Sequence, residues 1–270
     1  MSGAAPPGNL RLRAAVSQGR TVLTEVYRTA PFHPAPARQR GHQTVVALQE
    51  VSPGIFPGDR LEASVTVDPG ACLVVEAQGA ARVYPSPHGE DAESGTDLAV
   101  AAGGSLWWIP GVLIPYQDAR LVSRVHAHLE TGASIALLDI LTPGRVAMGE
   151  RDAYSRLDLR TRIDVAGRPV LIERALLAPE KRPSGPGSDR DAFRCSGALT
   201  LVGYDIAYDA IQDSDDVWLG GDGGPDLAVV RGVARSAAFL RRVLLTLLER
   251  LEADRMTGVS RGTAAEERRL

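Results

Sequence analysis

The sequence predicts a mostly β fold, with stacked β-hairpins in a β-helical, solenoid-like or sandwich arrangement and one C-terminal α-helix. Four segments repeat the same order of an alternating apolar strand, a tight turn with glycine and a second strand. Their turns recur about every 30 residues, a period typical of stacked β units. Helical spacing of apolar residues is convincing at one place, near the C-terminus.

Each of the four repeated segments has a glycine at its turn. Glycine adopts positive φ without a steric penalty from Cβ, as tight connections between strands require. In the third segment, residues 121–139, apolar and polar side chains alternate, which predicts a sheet with one buried and one solvated face. The four turns are predicted at Gly70, Gly103, Gly132 and Gly167.

The C-terminal helix is predicted over about residues 232–252, because its leucines recur at spacings of three and four. This apolar stripe has two interpretations: the helix packs on the sheet of its own chain, or part of the stripe docks a partner helix. The candidate partner-binding residues are Leu240, Leu244, Leu247 and Leu251.

The predicted domain organisation is one β-rich domain over residues 19–254 between a flexible N-terminal tail, 1–18, and a flexible C-terminal tail, 255–270. Two stretches rich in Gly, Pro, Ser or Asp, residues 179–191 and 212–226, are predicted to be flexible loops.

The composition is that of a globular protein that binds neither nucleic acid nor membranes. Of 270 residues 44% are hydrophobic and 23% charged, and the net charge of -3 favours no anionic partner. No stretch of about 18 apolar residues occurs, so no transmembrane helix is expected. The two cysteines, Cys72 and Cys195, have no metal or redox spacing, which favours reduced thiols in the cytoplasm.

Recognised catalytic motifs are absent from the sequence. It has no P-loop, dinucleotide-binding fingerprint, nucleophile elbow or zinc-protease helix, so we expect a protein that is not an enzyme. His126 and His128 share one face of a predicted strand, a spacing that can place two imidazoles on one metal. Without an evident third ligand, a solvated sheet face is the favoured interpretation.

Several carboxylates lie at turns and strand ends. Asp59 follows a Pro-Gly turn, where a carboxylate commonly accepts hydrogen bonds from turn amides. Arg145 lies five residues before Glu150, and the two are predicted to form a structural ion pair. Asp139 ends an apolar strand. Taken alone, these spacings indicate an all-β binding or scaffold domain.

Six motifs in order resemble the family of urease accessory proteins called UreD or UreH. They are a Gly-Asp turn before a strand, a strand and turn ending at a tyrosine, an aromatic strand ending in proline, an Ile-Pro-aromatic triplet, a Gly-Arg and Gly-Glu pair of turns, and a strand ending in Glu-Arg. They occupy residues 52–59, 75–84, 106–110, 114–116, 144–150 and 171–174.

The resemblance implies a β-helical fold and a function without catalysis. It implies a scaffold and conduit that inserts nickel into apo-urease, working in a complex with UreF and with the GTPase UreG. Nickel would be bound transiently, with no stable cofactor. The conduit residues we predict are Asp59, Glu76, Asp139 and Glu173, each at a strand or strand end and on or beside one of these motifs. Alternatives are an all-β module that binds a small ligand, or a divergent hydrolase that uses the carboxylates between Asp139 and Glu150.

Overall fold

The described residues fold into eighteen β-strands, a short 3₁₀ turn and one α-helix. The computed structural model describes residues 7–179, 195–206, 216–223 and 226–257. The first nine strands are β1 Gly8–Ser17, β2 Arg20–Arg28, β3 Phe32–Pro34, β4 Arg38–Arg40, β5 Gln43–Glu50, β6 Arg60–Val67, β7 Cys72–Ala77, β8 Ala81–Val83 and β9 Ala92–Val100. The remaining elements are β10 Ser105–Ile109, β11 Leu113–Pro115, β12 Arg120–Leu129, β13 Ser134–Leu141, β14 Arg156–Val165, β15 Arg168–Leu177, β16 Cys195–Val202, β17 Val217–Gly223, β18 Ala228–Ala234 and the helix α1 Ala237–Thr257.

Two sheets face each other, and the chain alternates between them. Sheet A has the order β15-β14-β12-β9-β6-β1-β2, and the main path of sheet B is β17-β18-β16-β13-β10-β7-β5-β3. Strands of successive coils pair in parallel, as β6 with β9, β9 with β12, and β12 with β14. The described residues thus form a stack of coils that resembles a β-solenoid, which confirms the predicted fold class.

The pairing across the tight turns differs from a stack of hairpins at three of the four turns. The turns at Gly70, Gly103 and Gly132 have φ of 70°, 69° and 80°. Each of them joins a strand of sheet A to a strand of sheet B, so the two strands face each other instead of pairing. Gly167 joins β14 to β15 in a true antiparallel hairpin. Both connections need positive φ, and only contacts between coils distinguish them.

The main core lies between the sheets, and a second core lies outside sheet B. Leu98, Leu121 and Ile135 are among the fully buried side chains of the first. Because α1 packs on the outer face of sheet B, central strands of that sheet such as β10 and β13 are buried on both faces. This double burial explains the continuous apolar run of β13, in contrast to the alternation of β12.

The helix begins at Ala237, five residues later than predicted, because β18 extends to Ala234. The Ser236 hydroxyl accepts a hydrogen bond from the Phe239 backbone N–H at 3.4 Å and caps the helix. The helix packs on β13, β16 and β18. The predicted partner-binding stripe is therefore corrected: the chain's own sheet B buries the side chains of Leu240, Leu244, Leu247 and Leu251.

A polar network ties the last turns of α1 to sheet B. Glu252 is 5% exposed, and its carboxylate lies 2.9 Å from His42 Nε2 and accepts a 2.7 Å hydrogen bond from Arg255. Burial alone raises the pKa of this carboxyl, but the hydrogen bonds and the charge of Arg255 outweigh it and leave the pKa below its ordinary value. The helix is therefore fixed by polar as well as apolar contacts.

Regular structure occupies parts of three segments that were predicted to be flexible tails or loops, and these three predictions are corrected. Residues 8–17, predicted as part of the N-terminal tail, form β1 between β2 and β6. Val217–Gly223, within the predicted acidic loop, forms β17, and α1 extends to Thr257. Most of the predicted loop 179–191 and of the predicted C-terminal tail lies outside the described residues.

In the part of the chain that the structure describes, no helix is long and apolar enough to span a bilayer.

Candidate functional site

A cavity of about 700 Å³ lies between the two sheets. Its wall includes residues near one end of the stack, such as Leu48 and Leu61, and near the other end, such as Glu173 and Arg231. The path from β5 to β18 in sheet B crosses five strand spacings, or roughly 24 Å at a typical spacing of about 4.8 Å. The cavity therefore extends along the axis of the stack.

Small and hydroxyl-bearing side chains on the inner face of sheet A leave this space open. Ser94 and Ser123 are register neighbours on β9 and β12, and both line the cavity. Ala63 and Thr96 are register neighbours one level further along the strands, and they line it as well. The hydroxyl groups give an otherwise apolar wall the hydrogen-bonding partners that internal water needs.

Asp139 projects from β13 into the cavity. The side chain is deeply enclosed by protein, yet it has substantial exposed surface, because that surface faces the cavity. Burial, with a smaller contribution from the negative charge of Glu173, raises the pKa of Asp139 to about 6. A carboxyl group with this pKa is partly protonated close to neutral pH.

Glu173 lines the same cavity from β15, on the opposite sheet. Its carboxylate accepts a 2.9 Å hydrogen bond from Arg231 Nη2 on β18. The two predicted conduit residues Asp139 and Glu173 are thus brought together across the cavity from strands 34 positions apart in sequence.

Glu50 is a third cavity carboxylate, and it is not among the predicted conduit residues. It ends β5 and lines the cavity together with Phe32 and Leu48. Burial raises the pKa of its carboxyl. The available signal was a glutamate at the end of an apolar strand, the same signal that selected Asp139. Arg231 was also missed, since a lone arginine on a strand carries no such signal.

The other two predicted conduit residues do not line the cavity. The Asp59 carboxylate accepts a 2.8 Å hydrogen bond from the Phe56 backbone N–H, as a turn residue before β6. Glu76 pairs with Arg38 at 2.7 Å, an ion pair between β7 and β4. Turn geometry and ion pairing account for both carboxylates, so they lie apart from Asp139 and Glu173.

Arg145 and Glu150 form the predicted pair at a corner of the stack. Arg145 Nε donates to Glu150 Oε2 at 2.8 Å, and Nη2 donates to the second oxygen. These hydrogen bonds hold the pKa of Glu150 below its ordinary value. The guanidinium also lies 4.0 Å from the ring centroid of Tyr116, a cation–π contact. This pair is absent from the cavity wall, and its contacts are structural.

Replacement of Asp139 by asparagine is expected to stabilise the protein at neutral pH. The folded-state pKa of about 6 exceeds the ordinary value of 3.8, so the native state binds more protons between these values and loses stability as the pH rises through them. The neutral amide of asparagine avoids this cost. Because the side chain is partly exposed, solvent screens its charge, and we expect a gain of about 1 kcal/mol above pH 6. Urea denaturation of the wild type and the variant at pH 4.5 and 7.5 measures this gain in the free energy of unfolding. An equal gain at both pH values would contradict the prediction.

Comparison with known proteins assigns the family. The family of the UreD urease accessory protein matches residues 6–263. A urease accessory protein UreD of Opitutus terrae is 32% identical over 248 residues, 88% of this chain and 91% of the relative. A UreD of Deinococcus radiodurans is 29% identical over 255 residues, 92% of this chain and 90% of the relative. A UreD 1 of Brucella melitensis is 29% identical over 254 residues, 89% and 88% of the two chains.

With such a match across nearly its whole length and across the solenoid and helix described above, the chain belongs to the UreD urease accessory protein family.

Proposed function

We propose that this protein is a non-enzymatic, cytoplasmic scaffold and conduit for the insertion of nickel into apo-urease. In this proposal it bridges urease and a complex of UreF with the GTPase UreG. Family membership supports the general role, since the relatives carry the name of urease accessory proteins. The observation that carries the conduit is the cavity along the stack, with Glu50 near one end, Asp139 about midway along sheet B and Glu173 on β15, the edge strand of sheet A.

The chemistry of the cavity wall suits a cation that must be released again. Ni²⁺ accepts carboxylate oxygen and water, and a site with few protein ligands binds it more weakly than a closed His or Cys cage. Glu50, Asp139 and Glu173 offer separate carboxylates instead of one closed ligand set. Protons compete with metal for these groups, so transfer is expected to weaken as the pH falls through about 6, the pKa of Asp139.

Co-expression of urease and its accessory proteins with the Asp139→Asn variant tests the proposal. We expect urease activation to fall at least tenfold, because a conduit carboxylate is lost, although the variant itself is at least as stable as the wild type. Ser123→Phe should reduce activation as well, because it narrows the cavity without changing a charge. Glu249→Gln, an acid exposed on α1, is the control and should activate normally.

The outcome of this experiment separates two explanations. Loss of activation in a variant of undiminished stability cannot result from unfolding, and points to the cavity. Normal activation by both cavity variants would refute the conduit, whereas normal co-purification with the partners would leave the scaffold role in place. The two parts of the proposal therefore fail independently.

A second candidate function is the binding of a small apolar ligand. A cavity of about 700 Å³ with a largely apolar wall lies within the range of roughly 300–1,000 Å³ common for ligand pockets. Native mass spectrometry of the purified protein tests this: a co-purifying small molecule supports it, and an empty cavity opposes it. The hydrolase alternative draws on the carboxylates of Asp139 and Glu150, but Asp139 lies in the cavity wall and Glu150 is paired with Arg145 outside it, so this geometry does not favour it.

A further inference from the structure

Two histidines and an aspartate converge on the outer face of sheet A, away from the cavity. His126 and His128 project outward from β12, whereas Val125, the residue before His126, faces the other way and lines the cavity. Asp97 lies on the neighbouring strand β9, directly opposite His126 in the register. One ligand atom from each of Asp97, His126 and His128 lies within 4.8 Å of the others. The third ligand that the sequence did not reveal is supplied by the adjacent coil.

The donor set is that of a divalent transition-metal site. Bonds of about 2.0–2.2 Å to imidazole nitrogen and carboxylate oxygen bring such ligands to within a few Å of one another. A set of two nitrogens and one oxygen suits borderline cations such as Ni²⁺, Zn²⁺, Co²⁺ and Cu²⁺ better than Mg²⁺ or Ca²⁺. The His128 side chain is 54% exposed, so the coordination positions that remain face solvent.

Asp164 on β14 is a hydrogen-bonding partner of His126. Histidines that bind a metal commonly donate their other ring N–H to such a carboxylate. The Asp164 carboxylate lies 2.6 Å from His126 Nε2, and Arg162 Nε donates to it at 2.9 Å. When His126 donates its Nε2–H to Asp164, the other ring nitrogen, Nδ1, keeps its lone pair for a metal. Asp164 is only 5% exposed, so the acceptor is fixed in place.

The charges around the two imidazoles favour a shared cation over two protonated rings. The ring centroids of His126 and His128 are 3.7 Å apart, and two imidazolium ions at this distance repel each other. The arginines near the site already have carboxylate partners: Arg162 pairs with Asp164, and Arg124 lies 3.7 Å from Glu93. Asp97 therefore offers a negative charge toward whatever cation the imidazoles bind.

We propose that Asp97, His126 and His128 bind one divalent transition-metal ion on the outer face of sheet A, with Asp164 orienting His126. Three protein ligands leave positions for water or for a side chain of another protein, so the site binds in an exchangeable manner. It is independent of the cavity, because the strand alternation directs these side chains away from it. The proposal stands or falls separately from the nickel conduit.

Equilibrium dialysis of the untagged protein against NiCl2 and ZnCl2 tests the site. We expect the wild type to bind one ion here, and His126→Ala or His128→Ala to weaken that binding at least tenfold. Asp97→Asn removes a charged ligand without removing a ring and should weaken it too. His88→Ala, a histidine exposed elsewhere, is the matched control.

NMR distinguishes this site from metal bound by the cavity carboxylates. Paramagnetic Ni²⁺ or Co²⁺ should broaden the imidazole C–H signals of His126 and His128 at substoichiometric metal, in the wild type and in Asp139→Asn alike. Wild-type protein that binds no ion, or an affinity unchanged in the His126→Ala/His128→Ala double variant with a native circular dichroism spectrum, would overturn the proposal. Broadening of His88 to the same extent would show adventitious binding only, and also overturns it.

Discussion

Leu244→Ala is expected to lower the free energy of unfolding by about 3 kcal/mol, the middle of the range for a buried leucine. Leu244 is 0% exposed and lies between α1 and the outer face of sheet B. The loss combines the removed apolar contact with the cavity left behind, because the rigid sheet beneath the helix collapses little. Urea denaturation followed by circular dichroism measures the change.

Leu176→Ala is the matched control for this substitution. Leu176 is 52% exposed on β15, so the same chemical change there should cost less than about 1 kcal/mol. The comparison also tests the finding that the leucine stripe packs on its own sheet instead of docking a partner. If Leu244→Ala left stability unchanged and instead abolished binding of a partner protein, the stripe would be a docking surface and the packed helix would be wrong.

Gly111→Ala is expected to destabilise the stack by roughly 2 kcal/mol, as overpacking against fixed neighbours does. A Cβ at position 111 would overlap the carbonyl oxygen of Gly79 and lie 3.0 Å from the Ala81 backbone nitrogen. These are backbone atoms of the preceding coil, so they cannot turn aside as a flexible side chain does. The same corner holds a 3.0 Å hydrogen bond from Ala81 N–H to the Val112 carbonyl, which the displacement would weaken.

Gly79→Ala provides the control from the other side of the same contact. A Cβ at Gly79 meets no atom within 4 Å, so this change should alter stability by no more than about 0.5 kcal/mol. Denaturation midpoints of the two variants measure the difference. Equal midpoints would contradict the close stacking of these corners and with it the spacing of the coils.

Part of the candidate site could be predicted from sequence segments. Asp139 and Glu173 are predicted as conduit residues because each lies at a strand or strand end, on or beside a segment that resembles the UreD family. Both line the cavity. The same reasoning also selected Asp59 and Glu76, since sequence does not reveal the turn amide or the arginine that satisfies each of them.

Contacts between coils could not be predicted from the pattern of residues along one strand. The register that sets Asp97 beside His126 joins residues 29 positions apart, and alternation along β12 alone shows only the two histidines. The cavity likewise depends on which small side chains of sheet A meet across neighbouring strands, such as Ser94 and Ser123. The sequence of a single strand does not show which strands pair with it on either side.

The sequence by itself determined the β-rich class, the glycine turns and the amphipathic helix, because alternation, turn chemistry and helical spacing are local properties of the chain. The tertiary structure alone decided that three turns cross between sheets, that sheet B buries the leucine stripe, and that carboxylates share a cavity. Those outcomes depend on which distant strands stack, and the free energy of that choice lies in side-chain contacts between coils.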